Sequence, residues 1–294
     1  MKFKVNSYHF NLLRDYERLS VFKEAIDDFS KEMSLECSDN LEASNLKVAY
    51  DLGAGSGVLT YFAKDYFDKI YSVEMSPSII SSTRENLELF DNVEVFNQNV
   101  LDLDFEELEK ADLIICEMLD TALIDEEEVP VLNHARKFLK ENGRIIPQSV
   151  INAVELVYLN NHFIQYEDNE SSPIYEILTE DKIYSEFDFR EFIEEEFSTV
   201  IEFEINGDFF KKEAVLEKSD CFNKDENKIK INGLRLSSYT KLNENIICGP
   251  TPMLNPVMLV PIEEFEADIG EKIKIKLEYV MGGGVETIKT ELIR

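Results

Sequence analysis

The stretch Val48-Ala49-Tyr50-Asp51-Leu52-Gly53-Ala54-Gly55-Ser56-Gly57 decides how this chain is read. Val48, Ala49 and Tyr50 have the character of the end of a buried strand, and Asp51 follows them. Glycine then recurs at alternate positions, Gly53, Gly55 and Gly57, before Val58-Leu59-Thr60-Tyr61-Phe62-Ala63 opens a helical pattern. A strand, a glycine-rich turn and a helix form the opening of an α/β nucleotide-type site. Without a Cβ, the backbone of the turn lets a ligand approach closely. Dinucleotide folds prefer G-x-G-x-x-G with a phosphate at the helix N-terminus. Here the run is D-x-G-x-G-x-G, and an acid just before the turn repels a pyrophosphate but suits a cationic ligand.

Outward from this turn the pattern alternates. Strands are expected at 47–52, 70–74, 93–97 and 112–117, and helices at 57–67, 77–89 and about 127–141. Such alternation predicts an α/β fold, a doubly wound parallel sheet that binds its ligand at the strand C-termini. Asp51, Glu74, the 99–102 turn and Glu117 all fall at those ends. Upstream, Leu12, Leu13, Tyr16, Leu19, Phe22, Ile26 and Phe29 recur at helical spacing, predicting one helix over 8–30, a further helical stretch near 31–36 and a polar linker over 37–45. Downstream of Gly143-Arg144-Ile145-Ile146-Pro147 the chain becomes β-rich, with runs at 151–158, 199–205, 229–231, 234–237, 257–260 and 273–280. These predict a sandwich or barrel-like domain. A helical insert is expected at 187–197, exposed loops at 167–173 and 218–227, and a hairpin turn at Gly282-Gly283-Gly284. The expected organisation is a helical segment over 1–46, a ligand-binding domain over 47–147 and a β-rich, barrel-like substrate domain over 148–294.

The chain has 294 residues, 44% of them hydrophobic, which is enough for a substantial core. Charge is the outlier, with 60 acidic against 30 basic residues and a net charge of −30. Such a surface repels nucleic acid and anionic membranes and attracts a basic partner; it also serves solubility alone. Cys37, Cys116, Cys221 and Cys248 lack C-x-x-C spacing, and His9, His134 and His162 are dispersed, so no metal site is expected. There is no apolar run of membrane-spanning length and no signal-peptide core, so the cytoplasm is the expected location.

The D-x-G-x-G-x-G turn with Glu74 at the next strand end resembles motif I of the class I S-adenosylmethionine-dependent methyltransferases. Two further segments narrow the resemblance. Glu117-Met118-Leu119-Asp120-Thr121-Ala122-Leu123-Ile124-Asp125-Glu126 is similar to the double-glutamate loop of the protein arginine methyltransferases, and its apolar interior argues against a freely solvated loop. Asn11-Leu12-Leu13-Arg14-Asp15-Tyr16-Glu17-Arg18 resembles the M-L-x-D-x-x-R segment that precedes that family's cofactor fold. The resemblance implies S-adenosyl-L-methionine as cofactor, with S-adenosyl-L-homocysteine as product. It implies Glu117 and Glu126 as catalytic residues and Arg18 on the cofactor carboxylate. Gly53, Gly55 and Gly57 would supply backbone space, Asp51 the anchor of the turn and the amino end, Glu74 the ribose contact, and Asn99 and Val100 the adenine border. Two plainer readings stay open: Arg18 as a surface helix arginine, paired with Asp15 or simply solvated, and Glu126 as part of an acidic helix start facing the helix dipole.

The chain also departs from that family. The best counterpart of the Thr-His-Trp loop is Thr251-Pro252-Met253, the chain has no Trp, and the Y-F-x-x-Y motif is not matched, Tyr8, Phe10 and Tyr16 being the nearest aromatics. Met118-Leu119-Asp120-Thr121 stands where the family commonly has Trp-Met-Gly-Tyr, and the segment over 160–185, where a dimerisation arm is expected, is short and polar. These changes touch substrate recognition and assembly more than cofactor binding. The implied partner is a basic protein or peptide, with a homodimer left open. The alternatives are a methyltransferase for RNA or a small molecule, and a cofactor-binding partner subunit without activity.

Overall fold

The computed structural model describes residues 2–39, 46–168, 172–206, 221–223 and 228–293. Two helices begin the chain, α1 (Ser7–Arg14) and α2 (Tyr16–Asp39). One helix expected over 8–30 is thus broken at Asp15, whose carboxylate accepts the backbone N–H of Arg18 at 3.0 Å and caps the start of α2. Beyond the break, α2 runs through the segment expected as a linker as far as Asp39; residues 40–45 lie outside the described residues. Phe22, Ala25, Ile26, Phe29 and Met33 form its buried stripe, at the three- and four-residue spacing that one helix face requires. Each such aromatic or aliphatic side chain contributes roughly 1.5–3 kcal/mol on burial.

A five-stranded parallel sheet follows, built from β1 (Val48–Leu52), β2 (Lys69–Val73), β3 (Val93–Phe96), β4 (Ala111–Cys116) and β5 (Leu139–Ile146), in the order β3-β2-β1-β4-β5. Helices α3 (Val58–Ala63), α4 (Ile80–Leu87) and α5 (Glu128–Ala135) connect the strands. The central strand β1 is buried at every position, as expected for a parallel strand covered on both faces. The order reverses beside β1, where β2 lies on one flank and β4 on the other. The first connection runs to the left of β1 and the later one to the right, so the ends of β1 and β4 border a crevice. The helix expected over 127–141 stops at Ala135, passes through a 3₁₀ turn (Arg136–Phe138) and yields to β5.

The second half forms antiparallel sheets. Its strands are β6 (Ser149–Leu159), β7 (Gln165–Tyr166), β8 (Tyr175–Ile177), β9 (Lys182–Asp188), β10 (Glu196–Glu204), β11 (Phe222–Asn223), β12 (Lys228–Asn243), β13 (Ile246–Cys248), β14 (Met258–Asp268), β15 (Lys272–Val280) and β16 (Lys289–Ile293). An eight-stranded sheet has the path β7-β14-β12-β6-β8, with β11 and β13 also paired to β12 and β9 to β6. A separate three-stranded sheet has the order β10-β15-β16. The expected barrel is therefore not closed: among the described residues no ladder joins the two sheets, although their inner faces share one hydrophobic cluster. Alternating apolar residues specify a buried face but carry no information on closure, which needs a matched strand tilt and stagger.

The runs expected at 229–231 and 234–237 merge into the single strand β12, which bends at a register shift between Ile231 and Gly233. The helix expected at 187–197 is absent: β9 ends, a turn follows with Asp188 accepting the N–H of Arg190 at 2.9 Å, and β10 begins. Phe187 and Phe197 meet edge to face at 5.7 Å, which an extended pair of strands allows. Of the loops expected at 167–173 and 218–227, residues 169–171, 218–220 and 224–227 lie outside the described residues. The glycine turn joins β15 to β16 as a hairpin connection.

Helix α2 packs on α3 and β5 on one side and on β12 and β13 on the other. It ties the parallel sheet to the antiparallel region and carries Arg18 to the crevice between them. No helix among the described residues is long and apolar enough to cross a membrane.

Candidate active site

A cavity of about 250 Å³ opens at the C-terminal ends of β1, β2 and β4, under α1 and the start of α2. The glycine turn forms its floor. Gly55 has φ +52°, the left-handed region open to glycine at little cost, and a Cβ there would stand 2.8 Å from the His9 ring. A Cβ on Gly53 would stand 2.6 Å from Met118, whereas one on Gly57 would meet Leu87 of α4 at 2.8 Å. Gly53 and Gly55 therefore shape the cavity, and Gly57 lets α4 pack on the turn.

Asp51 is not a wall of this cavity. It is 1% exposed and accepts the Thr60 N–H at 2.9 Å and the Thr60 hydroxyl, so it ties the turn to the start of α3. Burial raises its pKa to about 6, against the pull of those Thr60 hydrogen bonds. Glu74 does reach the cavity. One of its oxygens accepts the Gly55 N–H at 2.9 Å and the other the Ser76 N–H at 2.6 Å, which leaves lone pairs on both for a hydroxyl-bearing ligand. Asn99 accepts the Leu101 N–H at 2.9 Å and caps the 3₁₀ turn Val100–Asp102, presenting Gln98, Asn99 and the buried Val100 to one end of the cavity.

Glu117 follows β4 directly. Its carboxylate accepts a hydrogen bond from Arg18 Nη2, and the two side chains are 10% and 4% exposed. Burial raises the Glu117 pKa and the Arg18 charge lowers it, with burial the larger effect. Arg18 is 3% exposed and lines the cavity, yet its Nε and Nη1 have no partner. A buried guanidinium with two unused donors is costly unless an anion completes it. Asp15 bonds the Arg18 backbone rather than its guanidinium, and its other oxygen accepts from the Thr251 hydroxyl. That contact carries the 251–253 turn to the site, where Met253 lines the cavity.

Glu126 stands at the cavity mouth, open to solvent. Its pKa is raised by desolvation from the surrounding wall, then by the charge of Glu117, and then by Asp125 and Glu127. The structure thus brings both glutamates of the loop to one cavity. Between them Leu119, Ala122, Leu123 and Ile124 are buried, as the apolar sequence required. Ala122 and Leu123 have φ of 61° and 62°, a conformation costing roughly 1–2 kcal/mol each in residues with a Cβ. The antiparallel region holds them there. The Ala122 N–H donates to the Ser238 hydroxyl at 2.7 Å, and the Thr121 hydroxyl to the Pro256 carbonyl at 2.5 Å. The glycine hairpin adds Gly282 N–H to the Leu123 carbonyl and Gly284 N–H to the Ile124 carbonyl, both at 3.0 Å.

Three residues at this site were not assigned to it from sequence. His9 sits over Gly55, its Nδ1 3.0 Å from the Asn6 side chain that caps α1; burial lowers its pKa. Tyr8 faces both loop glutamates, whose charges add to burial in raising its pKa. The available signal was the Asn6 cap, with Ser7 between it and the ring-bearing pair Tyr8 and His9. The third, Glu128, is wholly buried, and in sequence it was one member of an acidic run. Among the described residues no group of three or more His, Cys, Asp or Glu side chains is arranged to hold a metal ion.

A cofactor with a carboxylate at one end, ribose hydroxyls in the middle and a planar base at the other matches these groups in order. Unused Arg18 donors, spare Glu74 lone pairs and the Val100 wall could hold those three parts, with the space beside Gly53 and Gly55 between them.

Comparison with known proteins agrees with this geometry. The profile of the methyltransferase-domain family matches residues 43–204. An uncharacterised protein of Methanothermobacter thermautotrophicus is 40% identical over 293 residues, covering 100% of both chains. The histone-arginine methyltransferase CARMER of Drosophila persimilis is 32% identical over 141 residues, 47% of this chain and 24% of that one. Among solved structures, the Trypanosoma brucei PRMT1 enzyme–prozyme heterotetrameric complex with AdoHcy superposes with a TM-score of 0.69 at 15% identity, covering 98% of each chain. The crystal structure of PRMT6–SAH gives 0.70 at 13% identity, over 97% of this chain and 99% of that one. With a matching family profile over more than half its length and the cofactor-shaped crevice described above, the chain belongs to the methyltransferase-domain family and is a class I S-adenosylmethionine-dependent methyltransferase resembling the protein arginine methyltransferases.

Proposed function

We propose that the protein transfers a methyl group to an arginine side chain of a basic protein or peptide. The observation that carries this reading is the convergence of Glu117 and Glu126 on one cavity, with Glu117 oriented by the buried Arg18. Two carboxylates suit a guanidinium, which offers paired N–H donors in one plane. Arg18 would hold the cofactor carboxylate through its unused donors, Glu74 the ribose, and Asn99 and Val100 the base; Asp51 and Gly57 support the turn from behind.

When bound, S-adenosylmethionine supplies an electrophilic methyl on a sulfonium. Glu117 and Glu126 would grip the acceptor guanidinium, hold one nitrogen in line with the methyl and take the proton that this nitrogen sheds. Proximity and orientation supply most of the barrier reduction in such an in-line displacement. The buried Leu119, Ala122, Leu123 and Ile124 keep the loop dry behind the carboxylates, which strengthens the pairing. A net charge of −30 favours approach by a basic segment and disfavours an RNA acceptor. The likeness to a heterotetrameric complex supports assembly into an oligomer.

The test is transfer of labelled methyl to an arginine-rich peptide, to the same peptide with lysine in place of arginine, to RNA and to small-molecule extracts. Label in the arginine peptide alone is expected. Label in RNA or a small molecule, or none in any acceptor, would overturn the arginine assignment.

A further inference from the structure

We propose that Glu128 is a positioning residue for methyl transfer, holding the peptide group between Glu117 and Met118 and through it the point from which the Glu117 side chain leaves the backbone. Glu128 is the first residue of α5 and is 0% exposed. Its Oε2 accepts the Met118 N–H at 2.9 Å, and the Cys116 thiol at the end of β4 lies beside the same carboxyl. The Met118 N–H belongs to the peptide plane that begins at the Glu117 carbonyl. Anchoring that plane holds the Glu117 carbonyl and Cα in place at the end of β4, and so the point from which its side chain leaves the backbone. Arg18, from α2, holds the Glu117 carboxylate itself. Asp120, 7% exposed, accepts the Glu126 N–H at 3.3 Å. The loop is thus closed at both ends by buried carboxyls, one behind each loop glutamate.

The environment of Glu128 sets its charge state. The titratable groups facing it are Cys116 at the end of β4, Glu117 beyond it and Glu126 in the loop; Arg18 from α2 reaches it only across Glu117. Burial raises the Glu128 pKa to about 8, aided by the charges of Glu117 and Glu126 and opposed by the Met118 N–H and the Cys116 thiol. At neutral pH Glu128 is a neutral acid, so its carbonyl oxygen accepts from Met118 without adding a third negative charge to the site. Above about pH 8 it ionises and repels both working carboxylates. An isosteric amide accepts the same hydrogen bond and never ionises.

The inference rests on the methyl-transfer role given to Glu117 above, and its test includes a measurement that needs no acceptor. Three chains are compared: wild type, Glu128→Gln and Glu128→Leu. Hydrogen exchange at the Met118 amide should match wild type in Glu128→Gln and run at least tenfold faster in Glu128→Leu. Affinity for S-adenosylhomocysteine should stay within about threefold in both variants. Methyl-transfer kcat should fall at least tenfold in Glu128→Leu with KM for the cofactor little changed. Glu128→Gln should keep wild-type kcat within about threefold at pH 7, and its ratio to wild type should rise above pH 8. Met118 exchange unchanged in Glu128→Leu would overturn the proposal, as would kcat within twofold of wild type. If Glu128→Leu does not fold, Glu128→Met, which also lacks an acceptor for the Met118 N–H, takes its place under the same criteria. A wild-type enzyme that methylates no arginine peptide refutes the acceptor assignment, and the Met118 exchange still judges Glu128.

Discussion

Replacing Glu117 with glutamine removes one charge while keeping the shape of the side chain. In the fold, this oxygen accepts from Arg18 in a pair whose side chains are 10% and 4% exposed. The amide oxygen can still accept that hydrogen bond, so the loss is the charge-assisted part, about 1–2 kcal/mol. Burial already disfavours the Glu117 charge, which softens the loss further. Against a typical stability of about 5–15 kcal/mol the chain stays folded. The Arg18 donors left for a cofactor are untouched, so affinity for S-adenosylhomocysteine by calorimetry should change less than about threefold. Turnover is a different matter. A glutamine cannot take a proton from the acceptor nitrogen and pairs only weakly with a guanidinium, so kcat should fall about 10²–10⁴-fold, or roughly 3–5 kcal/mol in barrier. The assay is the initial rate of labelled methyl transfer to an arginine-rich peptide, at a temperature where thermal melts show both chains folded. A rate within threefold of wild type would remove Glu117 from the chemistry. A rate loss matched by an equal loss of cofactor affinity would reassign it to cofactor binding.

Further outcomes follow from the same geometry. Gly55→Ala places a Cβ 2.8 Å from the His9 ring at φ +52°, so cofactor affinity should drop about tenfold or more by calorimetry, with a lower melting temperature. Asp51 titrates at about 6 in the folded chain against an ordinary 3.8, so the folded state binds the proton more tightly. Its contribution to stability is therefore present below pH 4 and lost as pH rises to about 6. Asp51→Asn should flatten the wild-type decline over that window by up to roughly 3 kcal/mol in denaturant unfolding; a decline of the same slope in both chains would refute it. Thr121→Val removes the 2.5 Å bond to the Pro256 carbonyl and should cost about 1–2 kcal/mol of stability by denaturant titration, with kcat reduced more than cofactor affinity. With a net charge of −30, KM for a basic peptide should rise steeply between 50 and 300 mM salt (roughly the range over which screening of exposed charges takes hold) while kcat holds steady; a KM independent of salt would exclude charge-guided capture.

Much of the site was legible because its chemistry is local in sequence. Alternate glycines after Asp51, an acid at the end of the next strand and two glutamates flanking an apolar loop each fix a residue type at a strand end. The parallel sheet then places strand ends together, so Asp51, Glu74, the 99–102 turn and Glu117 were assigned to one crevice before any contact was seen, although Asp51 proves to lie behind it. Patterns of apolar residues carried the α/β half for the same reason. They failed where the competing principle was not local: Asp15 breaks a continuous apolar stripe by capping, and the aromatic pair at Phe187 and Phe197 serves two strands where helical spacing was read.

Sequence by itself determined the doubly wound sheet, its cofactor turn and the paired acids, because strand and helix periodicities are set by residues a few positions apart. Tertiary structure alone decided that Arg18 braces Glu117 from 99 positions away in the chain, that Asp51 works behind the cavity, and that no ladder among the described residues closes the β-rich half. It also decided that Glu128 is buried against the loop it follows. Those outcomes depend on which surfaces lose water together, and a burial shared by α2, β4 and the 238–256 region has no signature in any one of them.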